Sequence, residues 1–327
     1  MHTFQLQFRA TLEQLGSDFQ GQLTMRVKSA EMGAKYISSL PGAGGGLGVH
    51  ISGFQAFGED LLNVSGAQVA TWLQLVTDAQ RPEFEAAAVV AAQLVDPSGA
   101  LAAQVRAEGI RVSNGSAMGP VARFERAPPS PFYVAAWANA PRGVPRLQDY
   151  ALFDVHSNPL RRVVLDTVLA TGAPAISEIS GFTFVDPPDS MNPSSVVIAP
   201  AWPDNSSGNT YGVLPAPGGS LSNATGQSFC AIAFHWATVV QRALPRFSDG
   251  IVAVLRSPGA TAFTFAVSGR EVRNVGLGDR HAPLVRDLEA EGRSVNITVA
   301  GSAWSLQVYP TPEVCVCSFM GCVSRSC

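Results

Sequence analysis

Asp154 is the residue in this sequence best placed to do chemistry. It ends an apolar run, Tyr150-Ala-Leu-Phe153, and precedes a turn, Val155-His-Ser157. A carboxylate at the tip of a buried strand, facing an apolar cavity, is costly unless it is paired. A ligand carrying N–H donors would satisfy it through charge-assisted hydrogen bonds. The same carboxylate can instead bond its own turn at Ser157 and Asn158, as Asp commonly does. Both readings are open from the sequence.

No pattern points to catalysis. The five histidines, His2, His50, His156, His235 and His281, never take a His-Glu-x-x-His spacing, and the acids are scattered rather than paired. There is no Gly-x-Ser-x-Gly elbow and no phosphate loop. Four of the five cysteines lie in the tail Cys315-Val-Cys317…Cys322…Cys327, a spacing that matches no zinc pattern and has no following His. The tail reads as local disulfides or an untidy terminus, and neither a metal nor a cofactor is expected. Gly42 to Gly48 fails the dinucleotide spacing at every register and reads as a linker.

The elements around Asp154 follow from local signals. Asn158 is a good helix N-cap and Pro159 suits the first helical position. Leu160, Val163, Val164, Thr167 and Val168 fall on one helical face, and Gly172 is a left-handed stop. Ala175 to Ile179 reads as the next strand, followed by strands at Phe182–Val185 and Ser195–Pro200. Upstream, residues 4–40 form one amphipathic helix, with Phe8, Leu12, Leu15, Phe19, Leu23, Val27, Ala30, Ala34 and Ile37 at three- and four-residue spacing. Residues 54–95 read as mostly helical, with Val69, Trp72, Leu73 and Val76 as one apolar stripe. Arg81 and Glu85 are four apart, as in a helical ion pair. Residues 96–125 are turn-rich, with a strand at Val121–Glu125, and the prolines of 127–131 force an extended segment into the strand Phe132–Trp137.

The second half reads as strand Phe229–Phe234, helix His235–Leu244, strands Ile251–Leu255 and Ala262–Val267, and helix Pro283–Ala290. A final strand pair, Val295–Ala300 and Ser302–Val308, turns at Gly301-Ser302. Composition shifts divide the chain into a helix and linker (1–50), a first module (51–202), a second module (203–312) and the Cys-rich tail (313–327).

With 327 residues and 46% hydrophobic content, the chain can bury a sizeable core. Charged residues are only 14%, the net charge is −3, and Lys28 and Lys35 are the two lysines. That excludes the clustered basic charge nucleic acid requires. No apolar run reaches the roughly 18 residues of a membrane span, and the N-terminus lacks a signal-peptide pattern. Five sequons, at Asn63, Asn114, Asn205, Asn223 and Asn296, are expected glycosylation sites if the chain is exported.

The order strand, acid, turn, helix with an Arg pair, Thr-Gly stop and small-residue strand is set by Asp154, Ser157-Asn158-Pro159, Arg161-Arg162, Thr171-Gly172 and Ala175-Ile-Ser177. It resembles the CHASE domain, the extracellular ligand-sensing part of cytokinin-receptor-type histidine kinases and receptor nucleotide cyclases. The likeness includes the Arg followed by Phe-Glu at Arg81–Glu85, the strand ending at Pro200, and Trp304 with Pro310. It implies an α+β fold: a long stalk helix followed by two PAS-like modules, each an antiparallel sheet with helices on one face. It implies a small-molecule ligand, with an adenine-like or cytokinin-type amine held by Asp154. Ile176, Ile198 and Ala199 match apolar pocket positions, and Phe153 and Tyr133 join them as candidate contacts. It also implies a homodimer through the stalk, an extracellular or lumenal location, and membrane segments and a kinase or cyclase output outside this sequence. If the chain is complete it is expected to be secreted. The alternative is a secreted or lumenal PAS-like interaction module with no small ligand.

Overall fold

The structure is a computed structural model. It describes residues 2–40, 51–113, 124–141, 152–180, 192–201, 227–244, 250–269, 271–280 and 293–310. The first element is the 38-residue helix α1, His2–Ser39. Its residues up to Thr24 belong to one compact unit, and those from Met25 belong to another. The apolar stripe expected from the sequence is buried within the chain: Leu15, Phe19, Leu23, Ala30, Ala34 and Ile37 are almost fully enclosed. Exposed on the helix from residue 14 onward are Gln14, Ser17, Gln20, Gly21, Thr24, Lys28, Met32, Lys35 and Ser39.

The larger unit comprises Met25–Ser190 and Ser194–Phe234. It contains α2 (Ile51–Ser65), β1 (Val69–Thr77), α3 (Arg81–Val95), α4 (Ala100–Glu108), β2 (Arg111–Ser113), β3 (Phe124–Arg126) and β4 (Phe132–Pro141). A single 3₁₀ turn at Val155–Ser157 follows, then α5 (Pro159–Thr171), β5 (Ala175–Ile176), β6 (Ser194–Ala201) and β7 (Ser228–His235). The five-stranded sheet has the order β4-β1-β7-β6-β5, so its first and last strands lie side by side at the centre. β1 is antiparallel to both β4 and β7, and β5 to β6. β2 and β3 form a separate two-stranded ribbon.

Both faces of this sheet are covered. One carries Leu73, Leu75, Val134, Ile198 and Phe229, packed with Phe153 and with Leu165 and Val168 of α5. The other carries Trp72, Trp137 and Cys230. Against it, Phe54 of α2 meets Trp72 at 6.0 Å, and Phe84 of α3 meets Trp137 at 4.9 Å. Here α1 approaches so closely that a Cβ on Gly33 would collide with Cys230 Sγ.

Burial on both faces explains the largest departure from expectation. Val69–Val76 is not a helical stripe but part of β1, in which Val69 to Val76 are buried except Thr71. A strand covered on both sides shows no alternation, so its apolar run imitates a helix face. β7 differs for a related reason. Phe229–Phe234 pairs with β1, through Leu73↔Phe229 and Ala70↔Ile232, and so belongs to the first sheet. The larger unit accordingly runs on through Phe234, and His235 begins the last stretch of the smaller one. Residues 96–125 contain a helix, α4, entered through Gly99 in the left-handed region (φ 76°).

α5 begins and ends where expected. Asn158 Oδ1 accepts from the amides of Leu160 and Arg161 at 3.1 and 3.3 Å, and Gly172 is left-handed at φ 67°. Its buried face is Val164, Leu165 and Val168, while Val163 stands 65% exposed. The helix is rotated relative to the expected stripe so that Leu165, the larger side chain, takes the core.

The smaller unit comprises Met1–Thr24, Met191–Pro193 and His235–Cys327. It holds α6 (Trp236–Ala243), β8 (Ile251–Arg256), β9 (Ala262–Ser268), β10 (Glu271–Leu277), β11 (Arg293–Val299) and β12 (Ser302–Pro310). These strands form an antiparallel sheet of order β10-β9-β8-β12-β11, in which β10 was not foreseen. Trp236 packs between Phe19 (5.9 Å) and Trp304 (4.6 Å). The β11–β12 hairpin turns at Ala300-Gly301, one residue earlier than expected, because Val299 pairs with Ser302. Both turn residues have positive φ, 50° and 73°, as a two-residue hairpin turn matched to strand twist requires.

The molecule is thus α+β, with a long N-terminal helix and antiparallel sheets. Strand Phe182–Val185, helix Pro283–Ala290, the Gly42–Gly48 linker and the Cys315–Cys327 tail lie outside the described residues.

Candidate functional site

The segment Leu152–Asp154 is not a regular strand. It is wedged between two others by single bridges, Arg111↔Phe153 and Ala135↔Asp154. Its backbone is fixed on both sides: Leu152 N–H donates to Ala136 O (2.9 Å), Arg111 N–H to Leu152 O (3.0 Å), and Asp154 N–H to Arg111 O (2.8 Å). Leu152 is held at φ 58°, a left-handed conformation that costs a non-glycine residue about 1–2 kcal/mol. Its 2% exposure and its two backbone bonds keep it there.

This wedge buries Asp154 to 5% exposure. Its Oδ1 accepts from the amides of Val134 (2.9 Å) and His156 (3.1 Å). Its carbonyl accepts from the amide and hydroxyl of Ser157, at 3.1 and 2.6 Å. Burial pushes the carboxyl above its ordinary value. The amide of Val134, the neighbouring His156 and Arg162 pull it back only in part. Around the turn, His156 Nε2 lies 2.9 Å from Asp166 Oδ1, Arg162 Nε donates to His156 O (3.1 Å), and the His156 ring packs on Phe132 at 4.8 Å. Asp154 therefore caps its own turn and ties it to β4.

The remaining candidate contacts divide between the two faces of the sheet. Phe153 and Ile198 lie in the cluster beneath α5. Ile176 pairs with Val197, while Ala175 pairs with Ile198. Ile176 and Ala199 consequently fall on the opposite face from Ile198, as alternation along a strand demands. Tyr133 is on that opposite face too, next to Val134 of the α5 cluster. The six residues do not share one wall.

Tyr133 belongs to a different cluster, which the sequence did not disclose. Arg81 Nε donates to Glu85 Oε1 (2.8 Å), and its Nη1 donates to Ala127 O (2.9 Å) and Tyr133 OH (3.0 Å). The guanidinium carbon sits 5.0 Å from the Tyr133 ring centroid. Glu85 also accepts from the Ile110 amide (2.9 Å) and Arg126 Nη2 (2.8 Å). Tyr133 OH accepts from the Ser130 amide (2.9 Å), and Asp78 Oδ1 and Pro128 O are the acceptors for its single proton. Burial alone would raise Glu85, but the Ile110 amide and the two arginines outweigh it and hold the carboxyl below its usual value. Burial, followed by the bond to Asp78, raises the Tyr133 phenol. The i, i+4 spacing showed the Arg81–Glu85 pair, but nothing local could show that it clasps the Ile110 turn and the proline-rich segment before β4.

Among the described residues no three His, Cys, Asp or Glu side chains gather as a metal would need. Nor is any helix among them long and apolar enough to cross a membrane. Asn63 and Asn296 are exposed, on α2 and β11, while Asn114, Asn205 and Asn223 lie outside the described residues.

No protein-family model matches the chain, and no curated protein matches it. A solved structure titled "Methyl-accepting Chemotaxis protein X" aligns with 94% of this chain and 99% of its own at 9% identity, with a TM-score of 0.44. A likeness at that level carries no conclusion about what this chain does.

Proposed function

We propose that this chain is a CHASE-like sensory domain that binds a small molecule in its larger unit. In this reading each unit is a PAS-like module. The support is architectural: a long helix leads into antiparallel sheets, and in the larger unit α5 and the 3₁₀ turn close one face. The observation that carries the reading is the buried, wedged segment Leu152–Asp154 at the edge of that layer, where a strained backbone holds an acid of raised pKa. Strain persists only where surrounding structure over-determines it, and it gathers at functional sites. The ligand class is a small planar amine of the adenine or cytokinin type. Signal output, in a kinase or cyclase outside this sequence, would pass through α1. Because the apolar stripe of α1 is buried in its own chain, a homodimer would form through the outward face Ser17, Gly21, Thr24, Lys28 and Met32. The domain would act on the extracellular or lumenal side of a membrane, anchored by segments not in this sequence.

The test is thermal unfolding of the purified protein with adenine, N6-substituted adenines and other planar amines. A concentration-dependent rise in Tm supports the reading, since a ligand that binds only the folded state stabilises by RT ln(1 + [L]/Kd). A flat melting curve across the panel refutes it. One observation favours a second reading, a module for protein contacts with no small ligand: Asp154 Oδ1 is already occupied by two backbone amides.

A further inference from the structure

We infer that the side-chain amide of Gln227 recognises a small ligand presenting a hydrogen-bond acceptor and donor side by side, as on the edge of a lactam, a primary carboxamide or a nucleobase. This rests on the sensory reading of the larger unit and names the chemistry of its ligand.

Gln227 is 6% exposed, and among the described residues neither its Oε1 nor its Nε2 has a hydrogen-bond partner. Its backbone, by contrast, is fixed: the Leu75 amide donates to its carbonyl at 2.8 Å. The β1–β7 register runs through Gln74↔Ser228, so Gln227 stands opposite Leu75. Leu75 in turn stands opposite Val134 on β4. Leu75 and Val134 both point into the cluster under α5, as does Phe229, two residues beyond Gln227. Alternation places the Gln227 amide in that same apolar layer. Val134, at the other end of this row, is the residue whose amide holds Asp154.

The opposite face shows the contrast. There Ser228 donates to Gln74 Oε1 at 2.7 Å, so that pair of polar side chains is matched. An amide with both ends unmatched in an apolar layer is costly, and such a group calls for a specific explanation. A methionine would fill the same length without that cost. A ligand with a cis-amide edge pairs with both ends at once, accepting from Nε2 and donating to Oε1. An N-alkylated analogue of the same shape leaves Oε1 unmatched and is rejected.

The experiment measures Tm for the wild type and Gln227→Met with 2-pyrrolidone, nicotinamide and uracil as probes and N-methyl-2-pyrrolidone as control. The expected result is a dose-dependent rise in the wild type with at least one probe and none with the control. Gln227→Met is expected to lose the rise while melting no lower than the unliganded wild type. If Gln227→Met does not fold, Gln227→Leu, which offers neither donor nor acceptor, must lose the response. An equal rise in the variant overturns the proposal while leaving a sensory domain intact. The proposal is also overturned by no rise in the wild type, by an equal rise with the control, or by a folded Gln227→Met melting well below the wild type. That last result would mark the amide as a structural group. Adenine also presents a donor beside an acceptor, so its panel is run on Gln227→Met as well: a rise kept in the variant upholds the sensory reading and overturns the role of Gln227, and no rise in either protein refutes both.

Discussion

Replacing Asp154 separates its charge from its hydrogen bonds. Asp154→Asn keeps an oxygen for the amides of Val134 and His156 and removes the buried charge. Asp154→Ala leaves both amides without that acceptor. A buried group deprived of its partner costs about 1–3 kcal/mol. Val134 is fully enclosed and the His156 amide partly so, which gives about 2–4 kcal/mol for the alanine variant. In a domain of 150–250 residues each kcal/mol moves Tm by about 2–4 °C, so a drop of about 4–16 °C is expected at pH 7. Asp154→Asn should match or exceed the wild type there. The folded pKa of Asp154 is raised above the ordinary 3.8, so its favourable contribution is complete below pH 3.8 and is lost as pH rises through the folded value. The advantage of Asn over Asp should therefore shrink on acidification and vanish below about pH 3.8. Urea unfolding of the three proteins between pH 3 and 7 measures this. If Asp154→Asn loses as much as Asp154→Ala at pH 7, the charge itself stabilises the fold and the turn-holding account fails.

Two further expectations concern packing and the Glu85 clasp. Gly33→Ala should cost about 1–3 kcal/mol by overpacking against Cys230, and Cys230→Ala in the same chain should recover part of that loss. A double-mutant cycle in urea showing strict additivity would rule out the contact. The folded pKa of Glu85 is depressed below 4.5, so its stabilisation is complete above pH 4.5 and fades as pH falls through the depressed value. Glu85→Gln should accordingly destabilise at pH 7 and flatten the acid limb of the stability curve. An unchanged acid limb would show that Glu85 does not anchor the Ile110 turn.

Much of the local structure was written in short stretches of residues. Asn158-Pro159 and Gly172 bound α5 because caps act within one turn of backbone. The three- and four-residue spacing of Leu15 through Ile37 makes α1 a helix because one face must leave water. Arg81 and Glu85 pair because they are one turn apart. Each of these signals spans fewer than ten residues or repeats regularly.

What the sequence could not decide depended on residues far apart. β1 joins β7 across some 150 positions, and covering both of its faces erased the alternation that marks a strand. That pairing moved β7 into the first sheet. It also carried Gln227 into the layer beneath α5. Asp154 was open to two partners until the wedge between Arg111 and Ala135 brought the Val134 amide to it. Side-chain type says which bonds a residue is able to make, whereas strand register and the docking of helices decide which partners are within 3 Å.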